Sequence, residues 1–517
     1  MKGIIAAGHT KTAESAQIIL EEGGNAFDAA LAAICTACFA EPALASMGGG
    51  GFLLAAPASG PKVLYDFFVQ TPLSKSGVEK PDFYPVICDF GGTKQEYFVG
   101  LASIATPGIP SGIMSVHRDL ATLPMKQLVA PAVDYAKNGV EFKGAQHFVL
   151  KGLEEIYAAS PEALAVFGDP QYPQELIKEN SLFKNPDYAD FLESFALEDE
   201  RLFYLSEIGK NLDRVSREQG GFLRKNDLED YVSIKRRPLE VEFANTELIT
   251  NPLPSTGGRL LALTLQLLET SRLHQFEYGS FQHLDAVIKS MLITEDARRQ
   301  NLQENKFRLT DSPKLIRSGM ISELAQKLNA QIEFSGNTTH ISVADRQGNL
   351  ASATITNGQG SGYIIPKTGI VLNNMLGEPD LNPSGYHQWP ENRRISSMMA
   401  PSILIDEKGK IVMGTGGASR IRSALLQFIL NLKVFGLPLD QAVNRGRVHY
   451  ELNELQVEDD FSPVVLSDLQ HAYPNFNLWA EKNYYFGGVH AVSVSHDGRE
   501  VSGVGDERRE GVFLIAK

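Results

Sequence analysis

The chain has 517 residues, of which 43% are hydrophobic and 21% charged, and its formal net charge is −14. That length exceeds one ordinary compact core and implies several domains or one large unit of stacked layers. A net acidic surface argues against nucleic acid and against an anionic membrane as principal partners.

The most apolar stretch, Ala29 to Ala40, is bounded by Asp28 and Glu41. It falls short of the roughly 20 residues a spanning helix needs. The N-terminal apolar run is too short for a signal peptide, so the expected location is cytoplasmic. The three cysteines, Cys35, Cys38 and Cys88, do not form a disulfide framework. Cys35 and Cys38 lie three residues apart in an Ala-rich helical run, which favours a shared buried face over redox or metal work. No second ligand pair accompanies them.

In chain order, Thr12 to Glu22 has helical spacing and ends at Gly23-Gly24, and Asn25 to Phe39 reads as a second, buried helix. Gly48 to Gly51 precede the apolar run Phe52-Leu53-Leu54, which suggests a strand whose backbone passes close to something. No Gly-Lys-Ser/Thr follows, so this is not a phosphate loop. Ile104 to Gly112 carries turn signals, and Ser115 to about Leu228 is mostly helical and charged. Asn226 with Glu229 resembles a capping box. Asn251 to Gly258 reads as a rigid loop before an apolar helix ending near Leu268, and Asp311 to Asn329 reads as a charged helix and linker. From Thr338 onward strand patterns dominate, with one clear helix from Ile421 to Phe435. Gly487-Gly488 reads as a turn.

Thr338 to Asp345 and Leu350 to Thr356 alternate apolar and polar side chains around the turn Arg346-Gln347-Gly348-Asn349. This predicts an antiparallel hairpin. Thr338 and Thr356 are equidistant from Gln347, so without a bulge they face one another at its open end. A threonine that becomes a chain N-terminus carries its own base. The α-amine has a pKa near 8 and can deprotonate the hydroxyl. Such chemistry requires a cut between Asn337 and Thr338.

Thr338-Thr339-His340-Ile341-Ser342-Val343-Ala344-Asp345 with Gly348-Asn349 resembles the nucleophile segment of the γ-glutamyltransferases. Other landmarks follow in that family's order: Glu22 to Ala26, Met47 to Phe52, Thr106-Pro107-Gly108, Pro254 to Gly258, Ile395 to Met398, Gly416 to Ile421 and Asp506 to Arg509. The resemblance implies an α+β, four-layer αββα sandwich of the N-terminal-nucleophile hydrolase type. It implies self-cleavage into residues 1–337 and 338–517, which stay together. It further implies a threonine hydrolase or acyltransferase that cleaves a γ-glutamyl or related amide and passes the acyl group to water or an amine. Thr338 is the implied nucleophile and Thr356 the donor to its hydroxyl. The N–H groups of Gly417 and Ala418 form the implied oxyanion hole, where alanine is tolerable if φ permits. Ser396 and Ser397 would hold a substrate carboxylate, and Asn357 would help hold the substrate.

Two departures concern the donor pocket. Phe68 stands where the family carries an arginine for the substrate carboxylate, a large change in chemistry. Met375 replaces a glutamine, while Glu378 keeps an acid on a longer arm. These changes suggest a different acyl group as the alternative, with Arg394 or Lys75 as replacement charges. His340 reads as a satisfied core histidine, and Arg420, Asp506 and Arg508 as internal ion pairs. Gly48 to Gly51 read as close packing rather than direct substrate contact. The two rival classes are a non-catalytic binding descendant and a metal-dependent amidohydrolase. The 11 histidines show no metal-ligand pattern, and nothing points to a nucleotide or flavin cofactor.

Overall fold

The computed structural model describes residues 1–89, 94–271, 273–304 (backbone only at 297 and 299–304) and 337–517. The charged helix expected over 311–329 lies outside the described residues. Two helices open the chain, α1 (Thr10–Glu21) and α2 (Ala26–Ala40). The second is capped by Asn25, whose side chain accepts from the Phe27 and Asp28 N–H groups while Asp28 accepts from the Asn25 N–H. Every residue of α2 is buried, and burial pushes the Cys35 thiol up to about 12, as an inert structural thiol requires.

Thirteen strands form two main sheets. They are β1 (Gly3–Ala7), β2 (Gly50–Ala56), β3 (Val63–Phe67), β4 (Ile234–Arg236), β5 (Leu239–Phe243), β6 (Thr246–Thr250), β7 (Thr339–Asp345), β8 (Leu350–Thr356), β9 (Ser402–Ile405), β10 (Gly409–Gly416), β11 (Gly488–Ser495), β12 (Val501–Val504) and β13 (Val512–Ala516). One sheet has the order β13-β1-β7-β8-β2-β3-β4, and the other β12-β11-β10-β9-β6-β5. The sheets face each other, with β7 and β8 against β10 and with β7 also against β11. Helices α1 and α2 cover the outside of the first sheet. Helices α3 (Gly257–Thr270) and α5 (Arg420–Lys433) cover the second, and α4 (Phe281–Glu304) packs beside α3. The molecule is therefore the expected αββα sandwich. No helix among the described residues is long and apolar enough to cross a membrane.

Two details differ from the sequence reading. The short helix Lys225–Glu229 begins at Arg224, whose N–H is held by Asp227, so the Asn226/Glu229 capping box is not the one used. Beyond Thr338 there are also helices at Leu439–Asn444 and Pro463–Ala472. Both start at prolines or next to them, and they are too short to show a clear period.

Candidate active site

The hairpin forms in the expected register: Thr339 pairs with Ile355 and Ala344 with Leu350, which sets Thr338 opposite Thr356. Gly348, at φ +92°, makes the turn. Alternation then puts Thr338, His340 and Ser342 on one face of β7, opposite Thr356, Thr354 and Ser352 of β8. This buried stripe is hydroxyl-rich and hydrogen-bonded. His340 meets Thr354 Oγ1 at 2.7 Å and Ser342 Oγ at 2.9 Å. Burial lowers its pKa well below the ordinary value, so it is a neutral, satisfied core histidine.

At the open end the geometry departs from expectation. Thr356 donates its single hydroxyl proton to the Asn337 carbonyl oxygen, not to the Thr338 hydroxyl. Its oxygen accepts from the Gly358 N–H at 3.0 Å. In the uncut chain Thr356 thus polarises the carbonyl of the bond that a Thr338 nucleophile would attack. Gly49 runs so close that a Cβ there would lie 2.2 Å from the Thr356 carbonyl oxygen. The glycine run is close packing behind the site, as its composition suggested.

Thr338 is held from its other side by a residue that sequence reasoning missed. Arg509 Nη1 donates to the Thr338 carbonyl at 3.0 Å, and its guanidinium lies 3.8 Å over the Tyr484 ring. A Cβ on Gly416 would sit 2.0 Å from the same carbonyl oxygen, so the start of the Gly416–Ala418 turn abuts Thr338. Gly417 has φ +125° and Ala418 φ +48°. Alanine therefore occupies the left-handed region at a cost of about 1–2 kcal/mol. The Gly417 and Ala418 carbonyls accept from Arg420 and Ile421 N–H groups at the start of α5. Glu41 was also missed. It is fully buried beside Thr339, accepts the Thr12 hydroxyl at 2.7 Å, and burial raises its pKa to about 7.

A second group of polar side chains lines the segment after Thr356. Asn357 is fully buried beside Tyr157, with neither amide atom in a well-formed hydrogen bond to the described residues. Among the described residues, Asn337 Nδ2, Gln359 Nε2 and Glu378 Oε1 are likewise buried without a hydrogen-bond partner. Burial first, then Asp380, raises the Glu378 carboxyl to about 8. Asn374 ties this group together, donating to Gln359 Oε1 at 3.1 Å and accepting from Gln359 N at 2.9 Å. Buried polar atoms without partners are rare in folded proteins, and their concentration beside Thr356 makes this group a candidate for contact with a polar ligand.

The remaining expected residues have structural partners. Ser397 Oγ accepts from the Met399 N–H at 3.0 Å, and its carbonyl accepts from the Thr256 and Gly257 N–H groups. Ser396 Oγ lies 3.4 Å from Thr256 Oγ1. The Pro254–Gly258 loop therefore clasps the Ser396-Ser397 segment. The Phe68 ring is 1% exposed and stacks on Phe52 at 5.5 Å, in the apolar layer, and Met375 is buried in the same cluster. Neither replacement charge is free. Arg394 is ion-paired with Asp66 at 3.5 Å and donates to the Phe68 and Val232 carbonyls and to Tyr231. Lys75 donates to the Trp389 carbonyl at 2.9 Å. The expected ion pairs are present for Asp506 and Arg508, at 3.1 Å, while Arg420 packs over the Tyr485 ring at 4.7 Å.

A family model described as gamma-glutamyltranspeptidase matches residues 12–516. The glutathione hydrolase proenzyme of Bacillus subtilis (strain 168) is 26% identical over 550 aligned residues, covering 99% of this chain and 91% of its own length. The acylase ACY 1 proenzyme of Pseudomonas sp. (strain V22) is 27% identical over 519, covering 96% of this chain and 90% of its own. The crystal structure of cephalosporin acylase from Bacillus halodurans shares the fold with a TM-score of 0.81 at 20% identity, covering 99% of this chain and 95% of that one. With the family model matched across nearly its whole length, the chain belongs to the γ-glutamyltranspeptidase family.

Proposed function

We propose that the chain cuts itself between Asn337 and Thr338 and that the new N-terminal threonine is the nucleophile of an amide hydrolase and acyltransferase. The observation that carries this reading is the Thr356 hydroxyl seated on the Asn337 carbonyl, directly across the hairpin from Thr338. Thr338 Oγ1 attacks that carbonyl, and the bond breaks to an ester with a free α-amine. Once the ester is resolved, the amine serves Thr338 as general base. Thr356 then turns to the Thr338 hydroxyl, which the cut leaves beside it. Thr338 takes the acyl group of a small amide substrate and passes it to water or an amine. The Gly417 and Ala418 N–H groups, beside the nucleophile, carry the charge of the tetrahedral intermediate. Ser396 and Ser397 orient the donor, with Asn357 and Glu378 as further polar contacts.

The names of the relatives support γ-glutamyl amides as donors and acyl amides as the second choice. The replaced residues favour the second reading in one respect. Phe68 carries no charge and is packed on Phe52 in the core, and Arg394 is committed to Asp66 and neighbouring carbonyls. An acyl group without an α-carboxylate needs no such charge, whereas a glutamyl head does. Turnover of a γ-glutamyl anilide against a glutaryl anilide separates the two readings.

The denatured intact mass of wild type and Thr338→Ala tests the mechanism itself. Two fragments in wild type, the second starting at Thr338, and one full chain in the variant are expected. One uncut chain in both would remove the nucleophile assignment.

A further inference from the structure

The residue before the nucleophile is asparagine, and its surroundings bear on how the cut is completed. Asn337 is 7% exposed. Its carbonyl oxygen accepts the Thr356 hydroxyl proton. Its side-chain Nδ2 is buried with no hydrogen-bond partner among the described residues. Leaving a buried amide donor unpaired costs about 1–3 kcal/mol, so the free Nδ2 beside the scissile carbonyl is a feature to be explained. Asparagine chemistry offers an explanation, because Nδ2 and the backbone carbonyl carbon of the same residue can close a five-membered ring.

Resting on the processing mechanism proposed above, we infer that Asn337 itself resolves the Thr338 ester. Its side chain closes into a succinimide, and the large fragment leaves with a cyclic imide at its C-terminus. In the first step Thr338 Oγ1 attacks the Asn337 carbonyl carbon and the Asn337–Thr338 C–N bond breaks. The hydroxyl proton ends on the Thr338 nitrogen. In the second step Nδ2 attacks the same carbon, a ring C–N bond forms and the ester C–Oγ1 bond breaks. One Nδ2 proton passes through the new α-amine to Thr338 Oγ1. No water is consumed. The imide fragment is lighter than a hydrolysed one by one water.

Three features favour this route. Both steps develop negative charge on one oxygen, the Asn337 carbonyl oxygen, where the Thr356 hydroxyl already sits. An amide nitrogen is a weak nucleophile, but held in the same residue it reacts at a high effective concentration. A competing water must enter a site in which Asn337 is almost wholly covered.

The test is the mass of the large fragment made by cell-free translation and quenched in acid, where the imide survives. A fragment one water lighter than the 1–337 chain with a free carboxylate is expected. After standing at neutral pH, its C-terminus should be a mixture of asparagine and isoasparagine. A fragment with the full hydrolytic mass and only asparagine from the first time point overturns the inference and leaves the processing mechanism standing. An uncut chain overturns that mechanism, and the inference with it. Asn337→Ala cannot cyclise. It should cut about tenfold more slowly or worse and accumulate an ester that hydroxylamine splits. Cutting at the wild-type rate, by a variant that melts like wild type, also overturns the inference.

Discussion

Two residues bear on the chemistry most directly, Arg509, whose contact no local pattern announced, and Glu378. Arg509 pins the Thr338 carbonyl from 171 positions away in sequence. Arg509→Met leaves that carbonyl without its donor, a loss of about 1.4 kcal/mol or tenfold in cleavage rate. Pulse-chase of the uncut chain measures it, and an unchanged rate would reduce Arg509 to a packing role. Glu378 is the other. Burial raises its carboxyl to about 8 and that of Glu41 to about 7. The folded chain therefore holds protons that the unfolded chain releases above about pH 4.3. The stability these groups contribute is complete below that value and is lost as pH rises through 7 and 8. Glu378→Gln cannot ionise, so its melting temperature should gain on wild type between about pH 5 and pH 8. A constant gap between the two melting curves would mean an ordinary carboxylate.

At the scale of elements, the hairpin of β7 and β8 depends on the strand beside it. β2 pairs with β8 from Gly50 opposite Thr356 to Ala56 opposite Leu350. Just before that strand, Gly49 leaves no room for a side chain against the Thr356 carbonyl. Gly49→Ala should push β8 outward, cost about 1–3 kcal/mol, and take the Thr356 hydroxyl off the Asn337 carbonyl. Intact mass should then show mostly uncut chain. Full processing would show that the strand end gives way without moving the hydroxyl. The polar stripe between the sheets has a similar logic. A buried histidine among threonines and serines is tolerable because each ring nitrogen has a hydroxyl.

In the whole molecule, both sheets mix strands from before and after Thr338. β1, β2, β3 and β4 join β7, β8 and β13, while β5 and β6 join β9 to β12. A cut at Asn337 therefore leaves two pieces that share both sheets. Within the piece that follows Thr338, Asp506 bonds Arg508 at 3.1 Å and Arg447 at 2.5 Å, and Arg508 also pairs with Glu458. All four side chains are buried. Arg447 and Arg508 lower the Asp506 carboxyl far below the usual range. Removing one partner strands the others in a dry interior. Asp506→Asn should destabilise by about 3–5 kcal/mol, read from denaturant melts. A loss below about 1 kcal/mol would mean that water reaches the network.

The order of glycine-rich turns, the hairpin and its register, and the Thr338–Thr356 pairing were legible in the amino-acid sequence. Each depends on period-two alternation or on a turn residue, and those are properties of a few neighbouring residues. The sandwich was legible only through resemblance, because no local rule dictates which sheet a strand joins. Tertiary structure alone decided that Thr356 addresses the Asn337 carbonyl, that Arg509 meets Thr338 and Glu41 lies beside Thr339, and that Arg394 is already paired. These contacts join segments far apart in the chain. They exist because two sheets and their helices pack face to face, and residue types and spacing do not specify what such packing brings together.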